Sequence, residues 1–201
     1  TSLEFERILS ASGPTMGHLQ KPSDGEEPEK IAWLQCIGSR DINRCGNGYC
    51  SSVCCMYAIK DAMIAKDHAG GDLDCAIFNM DIRTFGKDYE KYYIRAKEKA
   101  GVRFVKSRVH TIDEIGENRE LCIQYADENG RLQEEIFDIV VLSVGLQVPE
   151  KTRRLAERLG VEVDKYNFAV TRPLAPVETS RPGVYACGVF QAPKDIPGSV
   201  T

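Results

Sequence analysis

The stretch Ile31-Ala32-Trp33-Leu34-Gln35-Cys36 decides the fold of this chain. It is a short apolar run that meets a loop rich in Gly, Ser and Asn, which is typical of a buried strand leading into a functional turn. After the loop, apolar residues recur at helical spacing from Ser51 to Lys66 and predict a helix of about four turns. A strand, a loop and a helix in this order are the opening of a nucleotide-binding α/β unit.

The rest of the chain continues this alternation and then inserts antiparallel strands. The predicted elements are, in chain order, a strand at 75–80, a helix at 89–100, a strand at 102–105, three short strands at 108–114, 120–127 and 131–137, a strand at 138–145 and a helix at 151–159. Residues 1–30 are poor in periodicity and are interpreted as a linker. The order predicts an α/β, Rossmann-like domain with a three-stranded antiparallel meander before its last strand.

Composition and charge exclude two classes of partner. The 201 residues are 42% hydrophobic and 28% charged, the balance of an ordinary globular protein. Lys plus Arg number 26 against 30 Asp plus Glu, so no basic surplus exists to neutralise the phosphates of nucleic acid. No apolar run approaches the roughly 20 residues of a membrane span, and residues 1–7 have no signal-peptide pattern. We expect a cytoplasmic protein.

Cysteines are concentrated where a dinucleotide-binding domain carries its glycine-rich loop. Five of the eight fall within 20 residues: Cys36, Cys45, Cys50, Cys54 and Cys55. The pattern G-x-G-x-x-G, which lets a backbone approach a pyrophosphate, is missing from this loop. Thiols therefore replace the phosphate site. The other three stand singly in apolar segments and are predicted to be core residues: Cys75, Cys122 and Cys187.

The spacing of these thiols suits a metal centre. Cys50 and Cys54 share one helix face, and Cys55 lies about 100° further round. A helix N-terminus stabilises thiolates, and Cys36 could supply a fourth sulfur from the neighbouring strand. Four such thiolates are a plausible cage for a [4Fe-4S] cluster. A four-cysteine zinc site, a reversible disulfide and plain buried packing stay open as alternatives.

Longer motifs resemble those of the heterodisulfide reductase iron-sulfur flavoproteins, the A-type chains of that enzyme. They are Gln35-Cys36-Ile37-Gly38-Ser39-Arg40-Asp41, Tyr49-Cys50-Ser51-Ser52-Val53-Cys54-Cys55-Met56-Tyr57-Ala58-Ile59-Lys60, Met80-Asp81-Ile82-Arg83-Thr84-Phe85-Gly86-Lys87, Pro193-Lys194-Asp195-Ile196-Pro197 and Leu3-Glu4-Phe5-Glu6-Arg7-Ile8-Leu9-Ser10. The resemblance implies a thioredoxin-reductase-like flavoprotein core that binds FAD and a [4Fe-4S] cluster. One isolated cysteine and a C-x-x-x-C-C run hold the cluster in that family, which implies Cys36, Cys50, Cys54 and Cys55 as ligands here.

One departure from the family pattern concerns the loop before Cys50. Here Cys45 stands between Arg44 and Gly46, whereas the family runs from Arg to Gly directly. The loop is one residue longer and contains a fifth thiol. Cys45 is therefore a candidate substitute for one of the implied ligands.

The resemblance also implies partial FAD-domain segments. Gly145 corresponds to the strand-to-Gly crossing between the two domains of such flavoproteins, and Gly188 to the segment passing the flavin ribityl chain. With Lys194 and Asp195 they are the implied FAD contacts. The implied domains are 1–30, a linker from the FAD domain, 31–145, the nucleotide-binding-like domain with the cysteines, and 146–201, an incomplete return segment. Because the N-terminal FAD motif is absent, we expect FAD in the full-length protein and no independent activity of this piece.

The function implied is a relay of single electrons between FAD and partner proteins. Those partners would be other subunits of heterodisulfide-reductase type and ferredoxin-like carriers. The sequence predicts no catalytic acid or base. Two alternatives remain: an FAD- and NAD(P)H-dependent pyridine nucleotide-disulfide oxidoreductase, and a zinc-stabilised interaction module.

Overall fold

The computed structural model describes residues 1–200, which divide into two compact units. Unit 1 comprises Thr1–Ile37 and Cys54–Val144, and unit 2 comprises Gly38–Val53 and the chain from Gly145 onward. The elements are α1 (Ser2–Leu9), β1 (Lys30–Ile37), α2 (Ile42–Cys45), α3 (Cys54–His68), β2 (Asp74–Asn79), α4 (Tyr89–Glu98), β3 (Arg103–Lys106), β4 (Thr111–Ile115), β5 (Glu120–Ala126), β6 (Leu132–Phe137), β7 (Ile139–Val144), α5 (Glu150–Leu159), β8 (Thr171–Arg172), β9 (Ala175–Thr179), a 3-10 turn (Gly188–Phe190) and α6 (Ile196–Val200).

A four-stranded parallel sheet is the centre of unit 1. Its strand order is β3-β2-β1-β7, so β1 lies between β2 and β7. Ile31, Ala32 and Trp33 of β1 are fully buried, as a strand with both faces covered requires. The carboxyl ends of β1, β2 and β7 therefore lie side by side at one edge of the sheet, where α/β proteins bind ligands.

Helix α1 differs from the sequence-based interpretation of residues 1–30 as a linker without regular structure. Residues 2–9 form a helix whose Phe5 and Leu9 are buried in the main core of unit 1. The Phe5 ring packs edge-on against Trp33, with ring centroids 5.4 Å apart. Phe5, Ile8 and Leu9 are spaced i, i+3 and i+4 and all three pack in this core, so a helical period was present in the sequence and the interpretation of this segment overlooked it.

The predicted antiparallel meander is confirmed. Strands β4, β5 and β6 form a separate three-stranded sheet in that order. A charge network joins β6 to the amino ends of the parallel strands: Arg103 contacts Asp74 through two hydrogen bonds of 2.9 Å, and Glu135 at 2.7 Å. Lys30 Nζ also lies 2.7 Å from Glu135. Burial alone would raise the pKa of Glu135, but hydrogen bonds from both cations hold it below its usual value.

Unit 2 has its own small core. Ala156 of α5 and Val161, just after this helix, pack with Ala169 and Ala186. The predicted helix at 151–159 is confirmed with one further residue, since α5 begins at Glu150. The rest of this segment has the hairpin of β8 and β9 followed by α6.

Among residues 1–200, no helix is both long enough and apolar enough to cross a membrane.

The three cysteines outside the cluster differ in burial. Cys75 is buried in the core as predicted, and burial raises the pKa of its thiol to about 12. Cys122 is only half-buried and Cys187 is exposed, so the prediction of a core role is wrong for Cys187. Cys187 directly precedes the 3-10 turn rather than lying within a packed strand.

Candidate functional site

Cys36 lies in a β-bulge at the carboxyl end of the central strand. Leu34 pairs with Leu142 and Ile37 with Val144, so three steps along β1 are opposed by two along β7. The extra residue bends the strand, and Cys36 takes a left-handed conformation with a φ of 62°. A β-carbon is disfavoured in that region, and bulges of this kind commonly re-aim a side chain beside an active site. The backbone thus distinguishes Cys36 from the other residues of β1.

Cys54 and Cys55 begin α3 and contact backbone carbonyls on either side of β1. The Cys54 thiol donates to the carbonyl oxygen of Val144 at 3.8 Å, and the Cys55 thiol to that of Asp81 at 4.0 Å. Val144 ends β7, whereas Asp81 follows β2. Since β1 lies between those strands, the two thiols reach the two sides of the strand that carries Cys36. Both are more than 90% buried.

Tyr57 joins this edge of the sheet from the next turn of α3. Its hydroxyl donates to the Val144 carbonyl that also accepts from Cys54. Burial raises the pKa of the Tyr57 hydroxyl well above its usual value, and the neighbouring Cys54 raises it further. The phenol is therefore a neutral donor at physiological pH.

The loop that carries Cys45 and Cys50 belongs to unit 2. Ser52 has a φ of 63°, and its amide donates to the Cys50 sulfur at 3.4 Å. Cys45 ends the four-residue helix α2 and is exposed, before Gly46 in the left-handed conformation.

Two buried serines hold this loop to the segment that follows β7. The Ser51 hydroxyl accepts from the Leu146 amide at 2.9 Å and lies 2.7 Å from the Ser39 hydroxyl. Tyr49 donates its hydroxyl to the Leu146 carbonyl at 2.8 Å. A β-carbon on Gly145 would lie 2.2 Å from the Ser39 oxygen and 2.4 Å from that of Ser51. The glycine is therefore required by the packing of unit 2 itself.

The other residues implied to contact FAD also lie in unit 2. Gly188 begins the 3-10 turn with a φ of 61°, which favours glycine. Lys194 donates to Gln191 Oε1. Asp195 precedes α6, and its carboxylate accepts from the Gly198 amide at 2.8 Å. Their local roles are thus a turn, a part-buried hydrogen bond and the start of a short helix, and their role toward FAD stays a prediction.

The donors at this edge of the sheet include thiols, which are ligands both of zinc and of iron-sulfur clusters. Within residues 1–200, no three His, Cys, Asp or Glu side chains converge as ligands of one metal ion. The four ligands of a zinc site surround a single ion, whereas an iron-sulfur cluster separates its thiolates further, because each one binds a different iron. A half-buried thiol at a strand end and two buried thiols at a helix start have the chemistry that such a cluster requires.

Sequence reasoning missed the bulge and the role of Tyr57. The bulge depends on the pairing of β1 with β7, about a hundred residues later, and Tyr57 acts on a backbone carbonyl. A signal was available for Tyr57 alone: it follows Cys54 by three residues, the spacing of neighbours on one helix face.

Relatives match the whole length of the chain. It is 43% identical to the A chain of the H(2):CoB-CoM heterodisulfide,ferredoxin reductase of Methanothermobacter thermautotrophicus, over all of this chain and 30% of that protein. It is also 43% identical to the iron-sulfur A chain of the CoB--CoM heterodisulfide reductase of Methanocaldococcus jannaschii, over all of this chain and 31% of that one. The resemblance to these heterodisulfide reductase chains is thereby confirmed, and the chain spans about a third of their length.

The fold and the family are confirmed independently of these relatives. A solved thioredoxin reductase from Lactococcus lactis matches with a TM-score of 0.54 and 18% identity, over 86% of this chain and 48% of that structure. The family described as pyridine nucleotide-disulphide oxidoreductase matches residues 6–200. With a parallel sheet, an inserted meander and this match over nearly its full length, the chain belongs to the pyridine nucleotide-disulphide oxidoreductase family.

Proposed function

We propose that this chain holds a [4Fe-4S] cluster and relays single electrons within a flavoprotein subunit of heterodisulfide reductase type. The ligands would be Cys36, Cys50, Cys54 and Cys55. The observation that carries the proposal is the bulge that puts Cys36 in a left-handed conformation at the carboxyl end of the central strand. A conformation that costs about 1–2 kcal/mol is retained where the side chain has a task.

The chain's own residues would support such a cluster in three ways. The first turn of α3 presents the positive end of a helix dipole to Cys54 and Cys55, which favours their thiolates. Burial of both sulfurs would keep water away from the iron. The Ser52 amide, which donates to Cys50, would partly neutralise a third thiolate. When bound, the cluster would accept and release one electron at a time.

The flavin and the partner proteins complete this proposal. Family membership supports FAD in the full-length protein, with Gly145, Gly188, Lys194 and Asp195 as its contacts from unit 2. Residues 146–201 would then be the return segment of the FAD domain. The relatives are named as reductases of the CoB-CoM heterodisulfide and of ferredoxin, which supports subunits of that type and ferredoxin-like carriers as partners.

A nicotinamide-dependent activity is the second candidate, because the family is named for pyridine nucleotides. Sixteen residues separate β1 from α3, whereas a dinucleotide site has a short glycine-rich turn there. A titration of the chain with NADH and NADPH tests this candidate. Saturable binding that protects the β1–α3 loop from hydrogen exchange would favour it over the cluster.

Iron and acid-labile sulfide analysis after anaerobic reconstitution tests the cluster directly. We expect about four irons and four sulfides per chain, with broad absorbance near 400 nm. Ser in place of Cys36, Cys50, Cys54 or Cys55 lowers the iron content, whereas the matched variant Cys187→Ser retains it. Cys45→Ser tests whether Cys45 replaces one of these four ligands, in which case its iron content would also fall. Full iron content in all four ligand variants, or zinc in place of iron, would refute the proposal.

A further inference from the structure

We propose that Tyr57 is a positioning residue that donates a hydrogen bond to the Cys54 sulfur when that sulfur binds iron, and so raises the reduction potential of the cluster. This inference rests on the proposed function, and it adds a residue that tunes the same site. It does not require Tyr57 to touch iron or substrate.

The geometry brings the two side chains to one acceptor. Tyr57 and Cys54 are three residues apart on α3, so they project from the same face of the helix. Both donate to the carbonyl oxygen of Val144, the last residue of β7. The Tyr57 hydroxyl and the Cys54 sulfur are also close enough for a direct hydrogen bond and a Coulombic interaction.

Iron binding changes the role of Cys54 toward the Tyr57 hydroxyl and the Val144 carbonyl. A cysteine binds iron as a thiolate, which has no proton to donate to Val144 and becomes an acceptor instead. A phenol keeps its proton at neutral pH. The Tyr57 hydroxyl can then donate either to the neutral Val144 carbonyl or to the anionic Cys54 sulfur. Donation to the sulfur is favoured, because hydrogen bonds to ionised acceptors are about twice as strong as neutral ones.

Such a hydrogen bond favours the reduced cluster. Reduction adds one negative charge, part of which resides on the ligand sulfurs, and a donor aimed at sulfur stabilises that charge. The site is closed to solvent at Cys54, which is 6% exposed, so water does not compensate for a lost donor. Loss of the hydroxyl should therefore make the potential more negative, with the ligands unchanged.

The test is a redox titration of the reconstituted chain, monitored by EPR, for the wild type and for Tyr57→Phe. We expect a negative shift of the midpoint potential with iron and sulfide content equal to wild type. Tyr93→Phe is the matched control: Tyr93 also lies on a helix of unit 1, and its ring packs against Phe104 with centroids 4.7 Å apart. We expect its potential to equal that of the wild type.

A second variant covers the case in which Tyr57→Phe folds poorly. 3-Fluorotyrosine at position 57 keeps the hydroxyl and makes it a stronger donor, so the potential should shift in the positive direction. An unchanged potential in both variants, a positive shift in Tyr57→Phe, or a loss of iron in both would overturn the inference. Wild-type chain that binds no iron would overturn the proposed function as well, and that failure is seen before any variant is made.

Discussion

The hydroxyl oxygens of Ser39 and Ser51 lie 2.7 Å apart, against the α-carbon of Gly145. Both serines are almost fully buried. The pair occupies the volume that any side chain at position 145 would need, and Ser51 also accepts from the Leu146 amide. Hydroxyl groups thus hold the loop that carries Cys50. One of the hydrogen bonds on which its stability depends, from the Leu146 amide to Ser51, can be removed by a single substitution.

Ser51→Ala is expected to expose the Leu146 amide. Without the Ser51 oxygen, this amide has lost its acceptor, and a half-buried unsatisfied donor costs about 1–3 kcal/mol. Hydrogen exchange read by mass spectrometry should show faster exchange in peptides that contain Leu146. Ser39→Ala is the comparison, since Ser39 contacts Ser51 but not Leu146, and it should change that exchange less. Equal exchange in both variants would contradict this role of Ser51.

Cys36→Gly is expected to be more stable than Cys36→Ala in the cluster-free chain. Both variants remove the thiol, but only alanine keeps a β-carbon at a φ of 62°. Glycine avoids that penalty, so its free energy of unfolding should be higher by about 1 kcal/mol. Urea denaturation followed by fluorescence measures this, because Trp33 is the only tryptophan and lies in β1. The opposite order would show that Cys36 is not strained.

Asp61 is expected to make the stability of unit 1 depend on pH. It is 1% exposed, and its Oδ1 has no hydrogen-bond partner among residues 1–200, although Lys60 Nζ lies 3.4 Å away. Burial raises the pKa of Asp61 to about 7, Lys60 opposes this rise, and Glu6 adds to it. The folded state therefore binds the proton more tightly than the unfolded chain.

This stabilisation is complete below about pH 4 and is lost as the pH rises through about 7. Asp61→Asn stays neutral, so it should gain stability over the wild type across this range, by on the order of 4 kcal/mol at pH 8. Urea denaturation of both proteins at pH 5 and pH 8, followed by Trp33 fluorescence, measures the difference. A difference that does not change with pH would mean that Asp61 is already ionised in the folded protein at pH 5.

Arg103 is expected to couple measurably to Glu135. A double-mutant cycle with Arg103→Lys and Glu135→Gln should give about 0.5–1.5 kcal/mol, because lysine keeps the charge but loses the planar fork that binds Asp74 and Glu135 together. The network is partly exposed, so the coupling should fall in high salt. The exposed pair of Arg119 and Glu114 is the control, with a coupling near zero. Equal coupling in the two pairs would refute the difference.

The sequence was sufficient for those elements whose pattern is local. Strands β1 and β2 and helix α3 show their periods within a few residues, and the meander shows alternation with turn residues between its strands. Five cysteines within 20 residues likewise marked one loop and one helix start. In each case, the signal and the structure involve the same short segment.

The parts that could not be predicted depend on distant pairing. The bulge at Cys36 arises because β1 pairs with β7, about a hundred residues later in the chain. Cys54 and Tyr57 donate to the backbone carbonyl of Val144. Every residue has such a carbonyl, so the identity of residue 144 gives no indication of this contact in the sequence. Spacing alone therefore indicated which cysteines were candidates, but not what surrounds them.

The two ends of β1 take part in different interactions. Lys30, at its amino end, takes part in the charge network, whereas Cys36 lies six residues along the strand, about 20 Å away. Substitutions that far apart usually act independently. The carboxyl-end edge of the sheet could therefore change in sequence over evolutionary time while the charge network at the opposite edge continued to anchor the meander.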